Sequence, residues 1–235
     1  MTRMIKRIAF TLAGAGSDGL RDRVAAGLGA PDGVRPVRVA LCVALPELIP
    51  DPVHDAIGIS WFADGAHHRR FEEWMEASGA GASLGATGSG PSAGFGLVVA
   101  EEHVGRGADW LAARWADGGP RLKHMAVARR AAGLTPAEFS ARWQNRAGKV
   151  GATPIPDVAR GCAYVQNHPL LRDGGGDGGG GSGGWLYDAV NEVWFDDAEA
   201  LRTRIRWMDE ALATGAEDDL VGAHSFVAVR EEVLS

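Results

Sequence analysis

This chain reads through one pattern twice, and that repetition constrains its fold more than any other feature. The segment DAIGISWFAD, Asp55 to Asp64, returns as DAVNEVWFDD, Asp188 to Asp197, with Asp, Ala, Trp, Phe and Asp kept in place. At the same spacing Arg69, Trp74 and Met75 meet Arg202, Trp207 and Met208. Upstream, VALCVALP from Val39 lies over CAYVQNHP from Cys162, and IKRIAF from Ile5 over LKHMAV from Leu122. Near each end, VVAEEHV from Val98 lies over AVREEVL from Ala228. A duplicated unit must cover its apolar face, and the nearest surface is its own copy.

Each unit alternates strand and helix periodicity. The second opens with a strand around Lys123 to Arg129, followed by TPAE at Thr135 to Glu138. That is a capping box with Pro136 at the first helical position, and it predicts a helix to about Arg146. Strands follow at Gly161 to Asn167 and Ala189 to Phe195. Asp196 or Asp197 then caps a helix whose Leu201, Ile205, Met208 and Leu212 recur at helical spacing, before a last strand at Ser225 to Arg230. The order βαββαβ is the ferredoxin-like unit. The predicted fold class is α+β: two ferredoxin-like repeats forming an intrachain dimeric α+β barrel around a central cavity. Residues 1–104 form the N-terminal repeat, 105–121 a connector with a short helix, and 122–235 the C-terminal repeat.

Composition narrows the partners. Lys plus Arg is 24 against Asp plus Glu 30, a net charge of -6, which argues against nucleic acid because phosphate binding needs concentrated positive charge. Two cysteines, Cys42 and Cys162, cannot build a disulfide framework or a zinc cluster, and no H-E-x-x-H motif is present. Neither a metal nor another cofactor is therefore expected, and a reducing cytoplasm is the expected setting. The apolar start is broken by Thr11 and Gly14 and reads as the first strand of repeat one rather than a secretion signal. No run approaches the roughly 20 apolar residues of a membrane span. Ser78 to Gly94 and the nearly all-glycine Asp173 to Gly184 read as loops, the latter without the Lys-Ser/Thr of a phosphate-binding loop.

The motifs LTPAEFSARW, RGCAYVQNHP and VNEVWFDD, with the Trp207-Met208 helix behind them, resemble the EthD family of the dimeric α+β barrel superfamily. The resemblance covers Leu122 to Leu234 and extends more weakly to the first half. It implies a small-molecule role of broad range. EthD relatives include an accessory protein of ether degradation that works with an oxygenase, and fungal enzymes that dehydrate or decarboxylate aromatic polyketides. The wider superfamily holds cofactor-free monooxygenases, muconolactone isomerase-like enzymes and haem proteins. Many members carry a His about one turn after the Trp of the first helix. Here Trp143 is followed by Gln144, Asn145, Arg146, Ala147 and Gly148.

Strand alternation selects the site residues. Assigning Ala163, Val165, Met125, Val127, Val227 and Val229 to the helix layer turns Tyr164, Gln166, His168, His124, His224 and Phe226 into the barrel. Ile57 and Ile59, taken as the guide for the third strand, turn Asn191 inward as well. Asn167 points away by the same rule and enters only through the family motif. The matching positions of repeat one are Leu41, Val43 and Leu45, so an apolar wall would face a polar wall across one asymmetric pocket.

His168, before Pro169 at a strand end, has the chemistry of a general acid/base, and the alternative is a strand-end imidazole bonded to backbone. Tyr164 would orient a ligand oxygen or simply pack. Gln166 and Asn191 would hold a carbonyl or each other. His124 and His224 are rim candidates. Trp143 and Arg146 lie on the first helix of repeat two, where Arg146 would close over an anionic group or stay solvated. His67 and His68 read as helix packing, and Trp110 and Trp115 as scaffold or as a cover for the pocket mouth. The expected function is a cofactor-independent acid/base enzyme of lyase or isomerase type acting on a hydrophobic oxygenated cyclic or aromatic molecule. The alternatives are a non-catalytic accessory binder and a cofactor-free monooxygenase. On any of these readings the partner is a hydrophobic small molecule and the chain is a monomer, as a pseudo-dimer, or a homodimer.

Overall fold

Eight antiparallel strands hydrogen-bond into one closed barrel. The structure is a computed structural model that describes residues 4–11, 13–14, 16–78, 95–117, 121–146, 154–171, 184–213 and 219–234. Repeat one supplies β1 (Ile5–Thr11), α1 (Asp18–Ala26), β2 (Arg38–Ala44), β3 (Ala56–Phe62), α2 (Gly65–Ala77) and β4 (Phe95–Arg106). A connector helix α3 (Ala108–Asp117) leads to β5 (Arg121–Arg130), α4 (Pro136–Arg146), β6 (Ala163–Pro169), β7 (Ala189–Phe195), α5 (Ala198–Ala213) and β8 (Val221–Val233). The barrel order is β1-β3-β2-β8-β5-β7-β6-β4. The second strand of each repeat therefore pairs with the fourth strand of the other, Cys42 opposite Glu231 and Glu102 opposite Asn167, and no sheet edge is left open. This is the dimeric α+β barrel built from a tandem ferredoxin-like repeat.

Local chemistry explains the helix starts. The Thr135 N–H donates to Glu138 Oε2 at 2.9 Å and the Glu138 N–H to Thr135 Oγ1 at 3.2 Å, closing the capping box reciprocally. Asp64 caps α2 through the His67 N–H at 2.8 Å. Of the two candidates before α5, Asp197 is the cap, accepting from the Ala200 N–H at 2.8 Å, while Asp196 pairs with Arg114 of α3. No helix among the described residues is long and apolar enough to cross a membrane. The Asp173 to Gly184 tract, save Gly184 itself, and most of Ser78 to Gly94 lie outside the described residues.

The barrel interior is filled, which corrects the expected central cavity. Ile8, Phe10, Cys42, Ile57, Trp61, Val98, Met125, Val127, Val190, Val227 and Val229 form one buried cluster contributed by both repeats. Set into it is an ion-pair network. Lys6 lies 2.8 Å from Glu102 and 2.5 Å from Glu192, and Lys123 lies 2.7 Å from Glu192 and also pairs with Glu231. Glu192 is thus shared by the lysines of the two repeats. Asn167 Nδ2 donates to the same carboxylate at 3.0 Å, and Trp61 Nε1 donates to Glu102 at 3.3 Å. Burial alone would raise the Glu192 carboxyl, but Lys123 and Lys6 hold it down to about 2. Burial pushes the Cys42 thiol up to about 12, far from a reactive thiolate.

The strand faces are therefore the reverse of those expected in repeat two. Met125, Val127, Val165, Val227 and Val229 face the barrel, as does Asn167, whereas Tyr164, Gln166, His168, His124, Asn191, His224 and Phe226 lie on the helix side. Leu41, Val43 and Leu45 also leave the interior: Leu41 and Val43 pack with Leu20 and Val24 of α1, and Leu45 with Leu201 of α5. Alternation yields two faces but does not label them. The inner face of repeat two carries Lys123, Glu192 and Glu231, which look like surface residues until their mutual pairing is seen. The last strands also sit one residue from the expected register, because Glu102 and Glu231 hold the matching lysines.

Both barrel ends are plugged. Leu111, Trp110 and Trp115 of α3 pack on Ala163, Val165 and Trp194, and the Arg38 guanidinium stacks 3.5 Å from the Trp115 ring. At the other end Tyr187 packs edge-on against Phe10 at 5.2 Å, and its hydroxyl lies 2.6 Å from His54 Nε2.

Candidate functional site

The helix-covered layer of repeat two collects the polar residues that the barrel centre does not. Directly opposed residues of an antiparallel pair share a face. The register therefore sets His103, Gln166, Asn191, Ala126 and Phe226 in one row across β4, β6, β7, β5 and β8. The adjoining row on that face holds Tyr164, Val193, His124 and Ala228.

Among the described residues, two apolar clusters bring the helices onto this face, and the first of these rows belongs to neither. Leu201 and Ile205 of α5 pack on Val193, Phe195 and Ala228. Phe139 and Trp143 of α4, stacked at 5.4 Å, pack on Ala128, Ala189 and Leu220. Gln166, Asn191, Ala126 and Phe226 are members of neither cluster, and Ala126 is the smallest residue of the row.

Gln166 turns to Tyr164 rather than to Asn191: its Nε2 donates to the Tyr164 hydroxyl oxygen at 2.8 Å. That bond occupies an acceptor position and leaves the Tyr164 O–H free to donate. Asn191 Oδ1 is buried with no hydrogen-bond partner. Such an acceptor costs about 1–3 kcal/mol when unmet, and a ligand donor would meet it. His124 is 2% exposed and stacks on Phe226 at 5.2 Å and 17°. Burial, reinforced by the Arg204 charge, drives its pKa down to about 3, so it is neutral at physiological pH. His168 is buried and has His103 as an aromatic neighbour at 6.1 Å. His224 is exposed and tilts against Phe226 at 5.3 Å. Trp143 belongs to the α4 packing, and the Arg146 side chain lies outside the described residues.

Sequence reasoning missed Arg204. It is 6% exposed on the sheet side of α5, its Nε has no partner, and its guanidinium stands 4.6 Å from the Trp207 ring. The signal was present: Leu201, Arg204, Ile205 and Met208 follow helical spacing, so a charge sits inside the apolar stripe. At the repeat spacing its counterpart is Phe71. Among the described residues no group of three or more His, Cys, Asp or Glu side chains is arranged to hold a metal ion.

No protein-family model and no curated protein matches the chain. Among solved structures, a candidate monooxygenase from Lactobacillus acidophilus aligns over 100% of both chains at 9% identity with a TM-score of 0.44. Another from Fusobacterium nucleatum aligns over 100% of this chain and 93% of its own, at 8% identity and a TM-score of 0.48. The flavoenzyme CrmK of caerulomycin biosynthesis aligns over 94% of this chain and 45% of its own, at 16% identity and a TM-score of 0.26. Likeness at this level carries no argument about chemistry, and the barrel assignment rests on the strand pairing itself.

Proposed function

We propose that this protein is a small-molecule enzyme of the cofactor-independent acid/base type, with its site in the helix-covered layer of repeat two. The observation that carries the reading is the Asn191 amide, whose buried Oδ1 lacks a donor in a row that belongs to neither helix's apolar cluster. In repeat one the matching position is Gly58, where a Cβ would lie 2.4 Å from Val24 Cγ1, so α1 closes that position.

The ligand is a hydrophobic, oxygenated cyclic or aromatic molecule lying between α4 and α5. Its hydroxyl or enol donates to Asn191 Oδ1, its carbonyl accepts from the Tyr164 hydroxyl, and Phe226 supplies an apolar wall. His168, on the same face of β6, is the proton carrier. His124 is too weak a base for that task, since burial holds it neutral. A dry site that aligns one base with a polarised carbonyl supplies about 10²- to 10⁴-fold from proton transfer. Dehydration, decarboxylation, cyclisation and isomerisation all share this enolisation step, in keeping with the EthD-like motifs of the second half.

The test is a thermal-shift screen of cyclic and aromatic carbonyl compounds, followed by turnover assays on those that bind. His168→Gln is expected to keep ligand binding and lose at least about 100-fold in turnover. Full turnover in that variant would remove the acid/base role. Oxygen uptake during turnover would select monooxygenation instead, and binding without turnover by the unaltered protein would select an accessory binder.

A further inference from the structure

Arg204 is a buried cation in want of an anion. Taking a guanidinium out of water is costly unless it is paired or fully hydrogen-bonded. Here the compensation is thin: Nη1 donates to the Ala159 carbonyl at 3.4 Å, the Trp207 ring stands at 4.6 Å, and Nε has no partner. No carboxylate among the described residues pairs with it. The neighbouring Arg106 is differently placed, since its two terminal nitrogens donate to the carbonyls of Gly161, at 2.5 Å, and Arg160. Burial lowers the Arg204 pKa to about 10, which still leaves the group charged at neutral pH.

Its position ties it to the ligand layer. The Arg204 charge acts on both His124 and Tyr164, which flank Val193 in one row of the sheet beneath α5. Repeat one has Phe71 at the matching helix position, buried among Phe62, Met75 and Val99, and its buried cation, Arg7, comes from β1 instead and feels the charge of Glu72. The replacement of an apolar filler by an unpaired cation occurs in the same layer as the unmet Asn191 acceptor.

We propose that Arg204 binds an oxyanion of the ligand, so that the molecule taken by this layer is a hydrophobic carboxylate or an equivalent ionised oxygen on a flat apolar body. The inference rests on the reading that the repeat-two layer is the ligand site, and it adds the charge of the ligand to that reading. The planar guanidinium suits two parallel bonds to a carboxylate, with the Tyr164 hydroxyl, held by Gln166, available for a second oxygen of the ligand.

Titration calorimetry with 2-naphthoate and its neutral, near-isosteric partner 2-naphthamide tests this. The unaltered protein is expected to bind the carboxylate at least about tenfold more tightly than the amide. Arg204→Gln should bring 2-naphthoate to the level of 2-naphthamide and leave 2-naphthamide within about twofold, and Arg204→Lys should retain part of the preference. Equal affinities in the unaltered protein, or a preference that survives Arg204→Gln, would overturn the proposal while leaving the layer as a ligand site. That comparison in the unaltered protein needs no variant to fold. If Asn191→Leu and Gln166→Leu leave both affinities unchanged, or if neither probe binds, the layer itself is not the site and the proposal falls with it.

Discussion

On the helix side of repeat one, Leu41 and Val43 pack with Leu20 and Val24, Phe71 packs with Phe62, and Gly58 lets α1 approach closely. At the matching positions of repeat two stand Tyr164, Gln166, Arg204 and Asn191. One duplicated plan therefore carries an apolar row beneath α1, with Arg7 and His68 among the buried polar groups nearer α2, and a polar row in repeat two with an unmet acceptor and a cation that no described carboxylate pairs. Polar groups left unsatisfied in a layer cost stability, and proteins keep such violations where ligands bind. The two repeats are joined through Glu192 in the shared centre.

The comparison can be broken first at that centre. Glu192→Leu would leave Lys6 and Lys123 without their shared carboxylate, and a buried pair broken on one side costs about 3–5 kcal/mol. Urea denaturation should show the loss as a single transition for both repeats. Separate transitions would mean that the repeats are not coupled there. Next, Leu41→Asn places an unpaired amide in the apolar row beneath α1 and is expected to cost about 3 kcal/mol, from lost apolar burial and an unmet polar group. Tyr164→Leu, at the matching position of the other layer, should change stability by less than about 1 kcal/mol while weakening ligand binding. Equal losses at the two positions would show that the layers are packed alike.

A finer comparison lies at Gly58 and Asn191. Gly58→Ala drives a methyl into Val24 and should cost about 1–3 kcal/mol by overpacking. Asn191→Ala removes an unmet acceptor and should be neutral or stabilising by up to about 1 kcal/mol in the ligand-free protein. Stability measured with and without ligand separates the two effects.

The pH dependence sharpens the contrast least but reaches both layers. His124 is depressed to about 3 and His68, in repeat one, to about 4, in each case chiefly by burial. Below the ordinary value near 6.5 the unfolded chain takes up protons that the folded chain refuses, so stability falls as the pH drops toward those values. Glu192, held down to about 2, adds stability that is present above about 4.5 and lost as pH falls toward 2. Replacing His124 by Leu should make the decline between pH 6.5 and 4 shallower while leaving the Glu192 window in place. An unchanged slope in thermal melts would show that His124 is solvated.

Much of the fold was legible because the repeat and the TPAE box are local signals. DAIGISWFAD and DAVNEVWFDD fixed the duplicated topology, and Thr135 and Glu138 announced a helix start that their mutual bonds confirm. Which face of each strand meets the helices was not legible, because the barrel interior of repeat two carries Lys123, Glu192 and Glu231. A reader who expects charge outside inverts every strand. The polar set Tyr164, Gln166, His168 and Asn191 nevertheless shares one face, since period-two alternation keeps such a group together whichever way it turns. Arg204 was readable from the apolar stripe of α5 and from its counterpart Phe71, but only by asking what each helix buries rather than where each strand points.

The central claim is that ligands enter the helix-covered layer of repeat two and not the barrel centre. A crystal structure of the protein with 2-naphthoate tests it most directly. The account predicts the ring over Ala126 between α4 and α5, with the carboxylate against Arg204. Density inside the barrel beside Lys123 and Glu192, or beneath α1 and α2 of repeat one, would contradict it.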